Sequence, residues 1–491
     1  MRSTLKRISR AASTYVLGDI ITKGGAFLLL PLYTRYIPPE GYGLLSLTTM
    51  ISGLLVMVLS LGFTGAVLRF LPRLPDEAER RAFLGTLWAT LLVVCSLGLG
   101  GLFLLGSLSP GQIFHQLPFH PYLSLTMVPV FAQVTCTSML MSIYRAREQA
   151  VAYVTISVAS FLLLSLVTIC LVVGLRMGAV GALLAQALAA TVVAIYAATR
   201  LARIVGLHMR RDHLLAALAY GLPMTPSLIC QWALGAGDRI ILERYVSLAD
   251  LGIYSLAYQF GGILAVLALS LSNALSPTFG RVGVDAAEVP ALRRATAYYA
   301  LLLGIAALAV ALFSGEVIAL ILPATYLAAS ALIPWLALGS YILGISHIFS
   351  NTLAFTAGRT RALAVITAFG AGINIGLNLL LVPHMGVLAA ALTTALGYAA
   401  MAVPSAWLAL RCGVASFDLR RMLQSAGAIL LCYLIARALM RFGPAINIAI
   451  GLASIAALPA LLAALGFWQA DEIAAMRQIW GRLRHAKGAI Q

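Results

Sequence analysis

Apolar segments about twenty residues long recur along the whole chain, and they restrict its possible folds more than any other feature. A helix needs about 20 apolar residues to cross the hydrocarbon of a bilayer. The 491-residue sequence is 61% hydrophobic and 10% charged, whereas a soluble domain carries about 25% charged residues. Because backbone polar groups inside a bilayer must be satisfied within the segment, such segments are predicted to be helices. The sequence therefore predicts an all-α, polytopic membrane protein.

Fourteen segments qualify as membrane spans, and we number them span 1 to span 14 in chain order. Short junctions near 174–179 and 382–386 predict helical hairpins, and Gly53 and Gly62 predict a tilt in span 2. The apolar run of span 1 is longer than the ~7–15 residues of a signal-peptide core, so we interpret it as an uncleaved span. The spans are residues 13–34, 42–68, 82–107, 119–143, 151–174, 179–199, 214–242, 250–275, 295–322, 328–356, 362–382, 386–410, 422–440 and 444–467.

The chain carries 33 Lys and Arg residues and a net charge of +17, a balance also found in nucleic-acid-binding proteins. Here, however, the basic residues lie in short clusters between the apolar segments, and most of them fall in every second loop. An excess of Lys and Arg marks the cytoplasmic side of a membrane protein. This distribution argues against a nucleic-acid partner and predicts that both termini face the cytoplasm.

The six cysteines and seven histidines form no CxxC pair, no HExxH motif and no mixed Cys and His cluster. All six cysteines lie in or at the ends of apolar segments, as is typical of small core residues. The sequence therefore predicts no disulfide framework, no metal site and no bound cofactor.

A repeat links the two halves of the chain. RYIPPEGYGLLSL at 35–47 is similar to RYVSLADLGIYSL at 244–256, and each stretch joins an odd span to the following even span. Six spans per unit is an even number, so both units have the same orientation and form a parallel repeat about an axis along the membrane normal. The matched pairs are Arg35 and Arg244, Tyr36 and Tyr245, Gly43 and Gly252, Ser46 and Ser255, and Leu47 and Leu256.

The repeat predicts two six-helix bundles and an extra helix pair. We expect an N-lobe of spans 1 to 6 at 1–205 and a C-lobe of spans 7 to 12 at 206–412. Spans 13 and 14 and a C-terminal tail occupy 413–491. Two such bundles leave a central cleft, where transporters bind their substrates. Within the tail, 471–485 has the apolar and basic faces of an interfacial amphipathic helix.

Three stretches carry a family resemblance: YVLGDIITKGGAFLLLPLYTRYIPPEGYGLLSL (15–47), GFTGAVLRFLPR (62–73) and GAGDRIILERYVSLADLGIYSLAYQF (235–260). Over essentially its whole length, the chain resembles the polysaccharide-export branch of the multidrug/oligosaccharidyl-lipid/polysaccharide flippase superfamily, the O-antigen-type flippases. The resemblance implies translocation of undecaprenyl-diphosphate-linked oligosaccharide across the bacterial inner membrane by alternating access, for surface polysaccharide biosynthesis.

The same resemblance implies the partners, while the loops argue against a catalytic role. The expected partners are the lipid-linked oligosaccharide, membrane lipids, and the polymerase and glycosyltransferases of the same pathway. Coupling to a proton or a sodium gradient stays open. A membrane enzyme should present a substantial outer loop with catalytic Arg or His, whereas the outer loop near 107–119 offers only His115 and, just beyond it, His120. A cation-coupled drug or metabolite antiporter of the same superfamily is the alternative function.

Asp19 and Lys23 place two charges inside span 1, four residues apart and therefore on one face of a helix. A charge at mid-membrane costs roughly 2.5–3.5 kcal/mol on insertion scales, so neither side chain is expected to face lipid. Two interpretations stay open. The two residues either form a self-neutralising pair between helices or face a hydrated cavity.

Asp238 and Arg239 are adjacent in span 7, the repeat counterpart of span 1. Because adjacent helical residues point about 100° apart, we expect no clean pair between them and a partner elsewhere, such as Asp19 or Lys23. Arg239 is the best candidate for a cation that faces the phosphates, since a guanidinium donates bidentate hydrogen bonds. The alternative is an arginine that extends to the outer headgroups.

Further candidates lie at the ends of spans and among neutral residues within them. Arg35 and Arg244 either stabilise turns with Glu40, Glu243 or Asp250 or line an outer gate. Arg69 ends span 2 on the cytoplasmic side, where it either sets the topology or attracts an anionic head group.

Among neutral polar residues within spans, Gln231 and Asn273 are cavity candidates, while Asn374 and Asn378 are predicted to hold helices together. Gln133 is a further neutral polar residue of this kind, in span 4.

Overall fold

The computed structural model describes residues 18, 20–108, 114–206, 209–282, 286–412, 417–469 and 472–473. Within these ranges the chain forms helices and no strand, and thirteen helices are long and apolar enough to cross a membrane. The thirteen match spans 2 to 14 in order, which confirms the predicted all-α membrane fold. They are Pro39–Leu59, Glu77–Leu108, Phe119–Ala146, Ala150–Gly174, Gly178–Ile204, Arg211–Ala236, Leu248–Val282, Val289–Ile321, Ile333–Thr356, Thr360–Met385, Val387–Arg411, Leu419–Leu439 and Pro444–Ala464.

Span 1 is described only in part. A π-helical turn, Ile20–Gly24, leads into the short helices Gly25–Leu28 and Leu30–Tyr36. Asp19 and the side chain of Lys23 lie outside the described residues, so the paired and the cavity-facing interpretations both stay predictions.

Two predicted spans prove to be interrupted. Span 2 is a helix over Pro39–Leu59, after which Leu61 and Gly62 take left-handed backbone with φ of 50° and 70°, and a second helix follows at Phe63–Phe70. The tilt expected from Gly62 is therefore a break. A Cβ there would lie 2.7 Å from the Gly221 backbone, so the break also brings two backbones together. Span 7 ends its first helix at Ala236 and continues as Asp238–Tyr245.

The two predicted helical hairpins are confirmed. Spans 5 and 6 are joined across Gly174 and Gly178, where Arg176 and Gly178 have φ of 53° and 55°. Spans 11 and 12 are joined across Met385 and Val387 through Gly386, with φ of 57°. A residue in left-handed backbone commonly ends a helix and so permits a sharp turn into the next one.

The matched residues of the repeat contact one another. A side chain on Gly43 would overlap the Leu248 carbonyl oxygen, and a side chain on Gly252 would overlap the Pro39 carbonyl oxygen. Ser255 donates a hydrogen bond of 2.6 Å to Ser46. Since these contacts are reciprocal between equivalent positions, the starts of spans 2 and 8 are related by a local two-fold axis, as a parallel repeat requires. Glycine at both positions permits this close approach.

By its internal contacts the chain forms two compact units. The first comprises the described residues up to Leu256 with Ile321–Ala328 and Ala371–Thr394. The second comprises Ala257–Leu320, Ala329–Gly370 and the described residues from Ala395 onward. The predicted lobe boundaries at 205 and 412 stay predictions.

The second unit has an apolar core with a buried ion pair at its edge. Tyr299 donates hydrogen bonds of 3.1 and 2.9 Å to the carbonyls of Ala268 and Gly344, which joins three spans. Arg421, at the start of span 13, pairs with Glu472 at 2.9 Å. Apart from residues 472 and 473, the predicted amphipathic segment 471–485 lies outside the described residues.

Candidate functional site

Three ionisable side chains of the first unit are buried in the short helix Asp238–Tyr245. Asp238 is 1% exposed, Arg239 8% and Glu243 3%. Asp238 lies at the amino end of this helix, where the unpaired backbone N–H groups favour a negative charge. Burial of an isolated charge is costly, so each of these groups requires a partner.

Asp238 obtains its partners from three elements. Its Oδ1 accepts a hydrogen bond of 3.2 Å from Nη1 of Arg239. Its Oδ2 accepts a short hydrogen bond from the hydroxyl of Tyr254 in span 8. The Thr394 hydroxyl in span 12 lies 3.5 Å from the same oxygen, although its shorter hydrogen bond, of 2.8 Å, goes to the Ala390 carbonyl of its own helix. The carboxylate thus contacts groups from spans 8 and 12, so it has partners outside its own helix as expected, while a contact with Asp19 or Lys23 stays a prediction.

The expectation that Asp238 and Arg239 cannot pair is wrong. Their side chains form an ion pair at 3.2 Å, because the long arginine side chain turns back toward its neighbour. Arg239 Nη1 also donates to the Gly235 carbonyl at 3.2 Å, and the guanidinium lies 5.6 Å from the centre of the Tyr254 ring. Arg239 is therefore held by protein groups inside the first unit.

Two buried amides lie on span 11 beside the segment that carries Thr394. Asn374 donates a hydrogen bond of 2.9 Å to the Thr393 carbonyl, and Asn378 donates 2.8 Å to the Asn374 carbonyl. The first bond confirms that Asn374 links neighbouring helices. Among the described residues, however, the Oδ1 atoms of both amides are buried without a hydrogen-bond partner. We name Asp238, Arg239, Tyr254, Thr394, Asn374 and Asn378 the buried ionic cluster.

The oxygen atoms of the buried ionic cluster are chemically suited to accept a proton or to serve as ligands of a hard cation. The carboxylate of Asp238 can be protonated, and amide and hydroxyl oxygens are ligands that hard cations prefer. Within the described ranges, no group of three or more His, Cys, Asp or Glu side chains could hold a metal ion. An ion site here would therefore combine one carboxylate with neutral oxygens.

The repeat-matched arginines Arg35 and Arg244 are both exposed. Within the described part of the chain, neither forms an ion pair with Glu40, Glu243 or Asp250. Glu243 instead accepts from the backbone N–H of Gln116, and Asp250 accepts 2.7 Å from the Ser247 hydroxyl. The turn-stabilising interpretation has no ion pair to support it, and the gate interpretation stays a prediction.

The remaining predicted residues have no described contact with the buried ionic cluster. Arg69 is exposed, with its guanidinium 4.6 Å from the centre of the Tyr220 ring. Gln231 and Asn273 are exposed side chains on spans 7 and 8. Among the predicted site residues, the structure describes a contact between Asp238 and Arg239.

Sequence reasoning missed Tyr254 and Thr394. Tyr254 lies in the repeat stretch 244–256, but the equivalent position in the first copy is Leu45, so the match gave it no emphasis. Thr394 follows Thr393 in an apolar segment, and neutral threonines are common in such segments. Tyr254 could have been found from its position 16 residues after Asp238. The chain between them forms one short helix, a turn and two turns of the next helix, which brings the two side chains together.

Comparison with protein families gives two matches. The model of the family described as "Polysaccharide biosynthesis protein" matches residues 8–282. The model named MatE matches residues 223–380, which include the second repeat stretch and the buried ionic cluster as far as Asn378.

A curated relative and two solved structures are also similar. The succinoglycan biosynthesis transport protein ExoT of Rhizobium meliloti (strain 1021) is 25% identical over 289 residues, 57% of this chain and 55% of ExoT. The chain thus spans about half the length of that relative. The lipid II flippase MurJ, in an inward closed conformation, has a TM-score of 0.70 at 13% identity over 92% of this chain and 98% of MurJ. An inward-facing multidrug resistance MATE family transporter has a TM-score of 0.58 at 15% identity over 82% of this chain and 98% of its own. These structures share the fold.

Proposed function

The chain belongs to the polysaccharide biosynthesis protein family, and from that premise we propose that it flips a lipid-linked oligosaccharide across the bacterial inner membrane. The substrate is an undecaprenyl-diphosphate-linked oligosaccharide, and the mechanism is alternating access. The observation that carries the proposal is the buried Asp238–Arg239 pair in the short helix that follows the span-7 helix, in a chain whose relative ExoT is a succinoglycan transport protein.

The pyrophosphate is the part of such a substrate that cannot cross about 30 Å of hydrocarbon unaided. An arginine in the span supplies a planar, permanently charged donor that fits phosphate oxygens. In the substrate-free protein, Asp238 neutralises Arg239. We assign to the bound diphosphate this neutralising role. The guanidinium of Arg239 then exchanges the Asp238 carboxylate for a phosphate and is never left unpaired.

The buried ionic cluster also offers a route for coupling. Protonation of Asp238, or a sodium ion bound by its carboxylate with neutral oxygens, would weaken its hold on Arg239. The unpartnered Oδ1 atoms of Asn374 and Asn378 support the sodium alternative, and the hydroxyl partners Tyr254 and Thr394 are compatible with either. A transport assay with a proton gradient and a sodium gradient imposed separately distinguishes the two.

Localisation and partners follow from the same proposal. Both termini face the cytoplasm, and the substrate comes from glycosyltransferases on that side and passes to a polymerase on the other. A reporter fused after residue 210 tests the orientation, since activity restricted to the periplasm would contradict it.

A drug or metabolite antiporter is the second candidate, supported by the MatE match and by the shared fold of the MATE transporter. Purified protein in liposomes separates the two functions. A fluorescent polyprenyl-diphosphate oligosaccharide should become accessible to an external glycosidase faster than in empty liposomes, while an organic cation should not exchange. Arg239→Lys should slow flipping, because a point charge replaces a bidentate fork. Arg437→Lys, at an exposed position on span 13, is the matched control.

A further inference from the structure

A cavity of about 320 Å³ lies within the first unit, between spans 2, 4, 5 and 6. It is separate from the buried ionic cluster, because no residue lines both. Thirteen described residues line it. We call it the mid-span cavity.

The lining residues lie near the middle of each of the four helices. They occupy 49–56 in Pro39–Leu59, 129–137 in Phe119–Ala146, 160–164 in Ala150–Gly174 and 186–193 in Gly178–Ile204. Helices that cross a bilayer have their middle residues in the hydrocarbon region. The mid-span cavity is therefore at the depth where transporters bind substrate.

Six of the lining side chains are polar, and all six are neutral. None of the thirteen described residues that line the cavity is ionisable. Within the described part of the chain, none of the six polar side chains forms a hydrogen bond to another protein group. The six are Thr49, Ser52, Gln133, Thr137, Ser160 and Gln186.

None of the six is fully buried: Thr49 and Gln133 are exposed, and Ser52, Thr137, Ser160 and Gln186 are half-buried, so their donors and acceptors are accessible to a molecule in the cavity. Neutral polar side chains within membrane spans commonly form hydrogen bonds across helices. Simple helix contact does not explain the six, because none of them bonds to a neighbouring helix among the described residues. Their unused donors and acceptors point to a partner that enters the cavity.

The backbone beside the cavity is irregular in the same place. Pro129 lies inside the helix of span 4, and the following turn, Gln133–Thr137, is π-helical. Single π turns within α-helices are frequent at functional sites. Irregular backbone at membrane depth is tolerated where it lines a cavity. The distortion coincides with two of the polar lining residues, Gln133 and Thr137.

We propose that the mid-span cavity binds a neutral, hydroxyl-rich group, namely a sugar of the oligosaccharide. The proposal rests on the proposed function. Sugar hydroxyls both donate and accept, as amide and hydroxyl side chains do. The apolar walls, such as Val56 and Leu164, suit the C–H faces of a sugar ring. A volume near the lower end of ligand pockets, about 300 Å³, accommodates a small part of a glycan.

Other ligand classes fit the mid-span cavity less well. A diphosphate or an organic cation would enter without a counter-charge among the described lining residues, and a buried unpaired charge is strongly unfavourable. A purely apolar ligand would leave the two glutamines and four hydroxyls unpaired. The cavity and the buried ionic cluster would thus take different parts of one substrate.

The test begins in the source bacterium. Deletion of the gene should abolish one surface polysaccharide, and failure to do so overturns the proposed function itself. The lipid-free repeat-unit oligosaccharide of that polysaccharide is then the probe. Its binding to the full-length chain, in micelles without sugar headgroups, is measured by calorimetry or saturation-transfer NMR.

Gln133→Leu and Gln186→Leu should each weaken oligosaccharide binding about three- to tenfold, the equivalent of one lost hydrogen bond. Ser160→Ala, a smaller change, should weaken it about two- to threefold and guards against misfolding of the leucine variants. Thr191→Val is the matched control, since Thr191 lies on span 6 but bonds its own helix at the Ala187 carbonyl. Inorganic pyrophosphate should not compete.

Two results would overturn the assignment while the deletion phenotype upheld the proposed function. One is wild-type affinity in all three cavity variants. The other is no detectable binding of the oligosaccharide by the wild-type chain, which would mean that the cavity holds water only.

Discussion

The buried ionic cluster and the mid-span cavity are two polar regions of the first unit with opposite designs. In the cluster, the charges of Asp238 and Arg239 are neutralised by each other and bonded by Tyr254 and Thr394. In the cavity, the polar groups of Gln133 and Gln186 are neutral and unbonded within the described part of the chain. An unpaired charge in a membrane is too costly, whereas neutral hydroxyls and amides can stay without a protein partner until a ligand binds.

This difference separates two tasks that a lipid-linked oligosaccharide imposes. Arg239 must exchange the Asp238 carboxylate for the diphosphate. The state of that carboxylate then determines when the exchange occurs. A sugar needs only open hydrogen-bonding capacity. Stability and function should therefore respond in opposite ways to substitutions in the two regions, and the following predictions test that contrast.

The largest effect is expected for Asp238→Ala. Removal of the carboxylate leaves Arg239 buried and unpaired, which should destabilise the protein by about 3–5 kcal/mol. Thermal unfolding of the purified protein and its abundance in the membrane measure this loss. An unfolding temperature equal to that of the wild type would contradict the ion pair as the centre of the cluster.

Tyr254→Phe should have the next largest effect. The variant keeps the aromatic ring and removes a hydrogen bond to a charged group, worth about 1.5–3 kcal/mol. Tyr245→Phe is the control, because Tyr245 is 50% exposed. If both variants unfold at the same temperature, the Tyr254 hydroxyl does not stabilise the carboxylate.

Thr394→Val should reduce stability only slightly, by about 0.5–1 kcal/mol, because its 3.5 Å hydrogen bond is long. Its effect on coupling should be clearer. If sodium drives transport, the sodium concentration for half-maximal flipping should rise. Thr393→Val is the control, since both hydroxyls bond the Ala390 carbonyl but, among the described contacts, only that of Thr394 also lies near Asp238. An unchanged sodium dependence would remove Thr394 from the ion route.

Gln133→Leu should have the smallest effect on the stability of the ligand-free protein, within about 0.5 kcal/mol. No described protein group loses a hydrogen bond, and the leucine is of similar size. Thermal unfolding without ligand is the measurement. A loss comparable to that of Tyr254→Phe would mean that Gln133 is structural, and the contrast between the two regions would fail.

The sequence predicted thirteen described spans and both tight hairpins, because hydropathy and segment length determine which helices cross a bilayer. It did not predict the break at Leu61 and Gly62, which depends on the Gly221 backbone of a distant helix. The reciprocal contacts of Gly43 and Gly252 show why the repeat was visible: these positions admit only glycine, so both copies retain it.

The candidate site was predictable where it is charged. Asp238 and Arg239 stand out in an apolar sequence, but the contact between adjacent residues depends on side-chain conformation, which helical geometry alone does not give. Gln186 and Ser160 gave no signal, since single neutral residues occur in many spans. Only the packing of four helices brings them to one cavity. Asp19 and Lys23 stay predictions, and Asp19→Asn with Lys23→Gln should reduce export if they face a cavity.

The most direct test of the account is the flipping rate of Asp238→Asn with Arg239→Gln in liposomes that contain the polyprenyl-diphosphate oligosaccharide. The double variant removes both charges together, so no unpaired charge remains and abundance should be close to that of the wild type. We predict that flipping falls at least about tenfold, since transition-state and substrate contacts of a bidentate arginine are lost. Flipping at the wild-type rate would show that the pair is structural and would contradict the proposed role of Arg239.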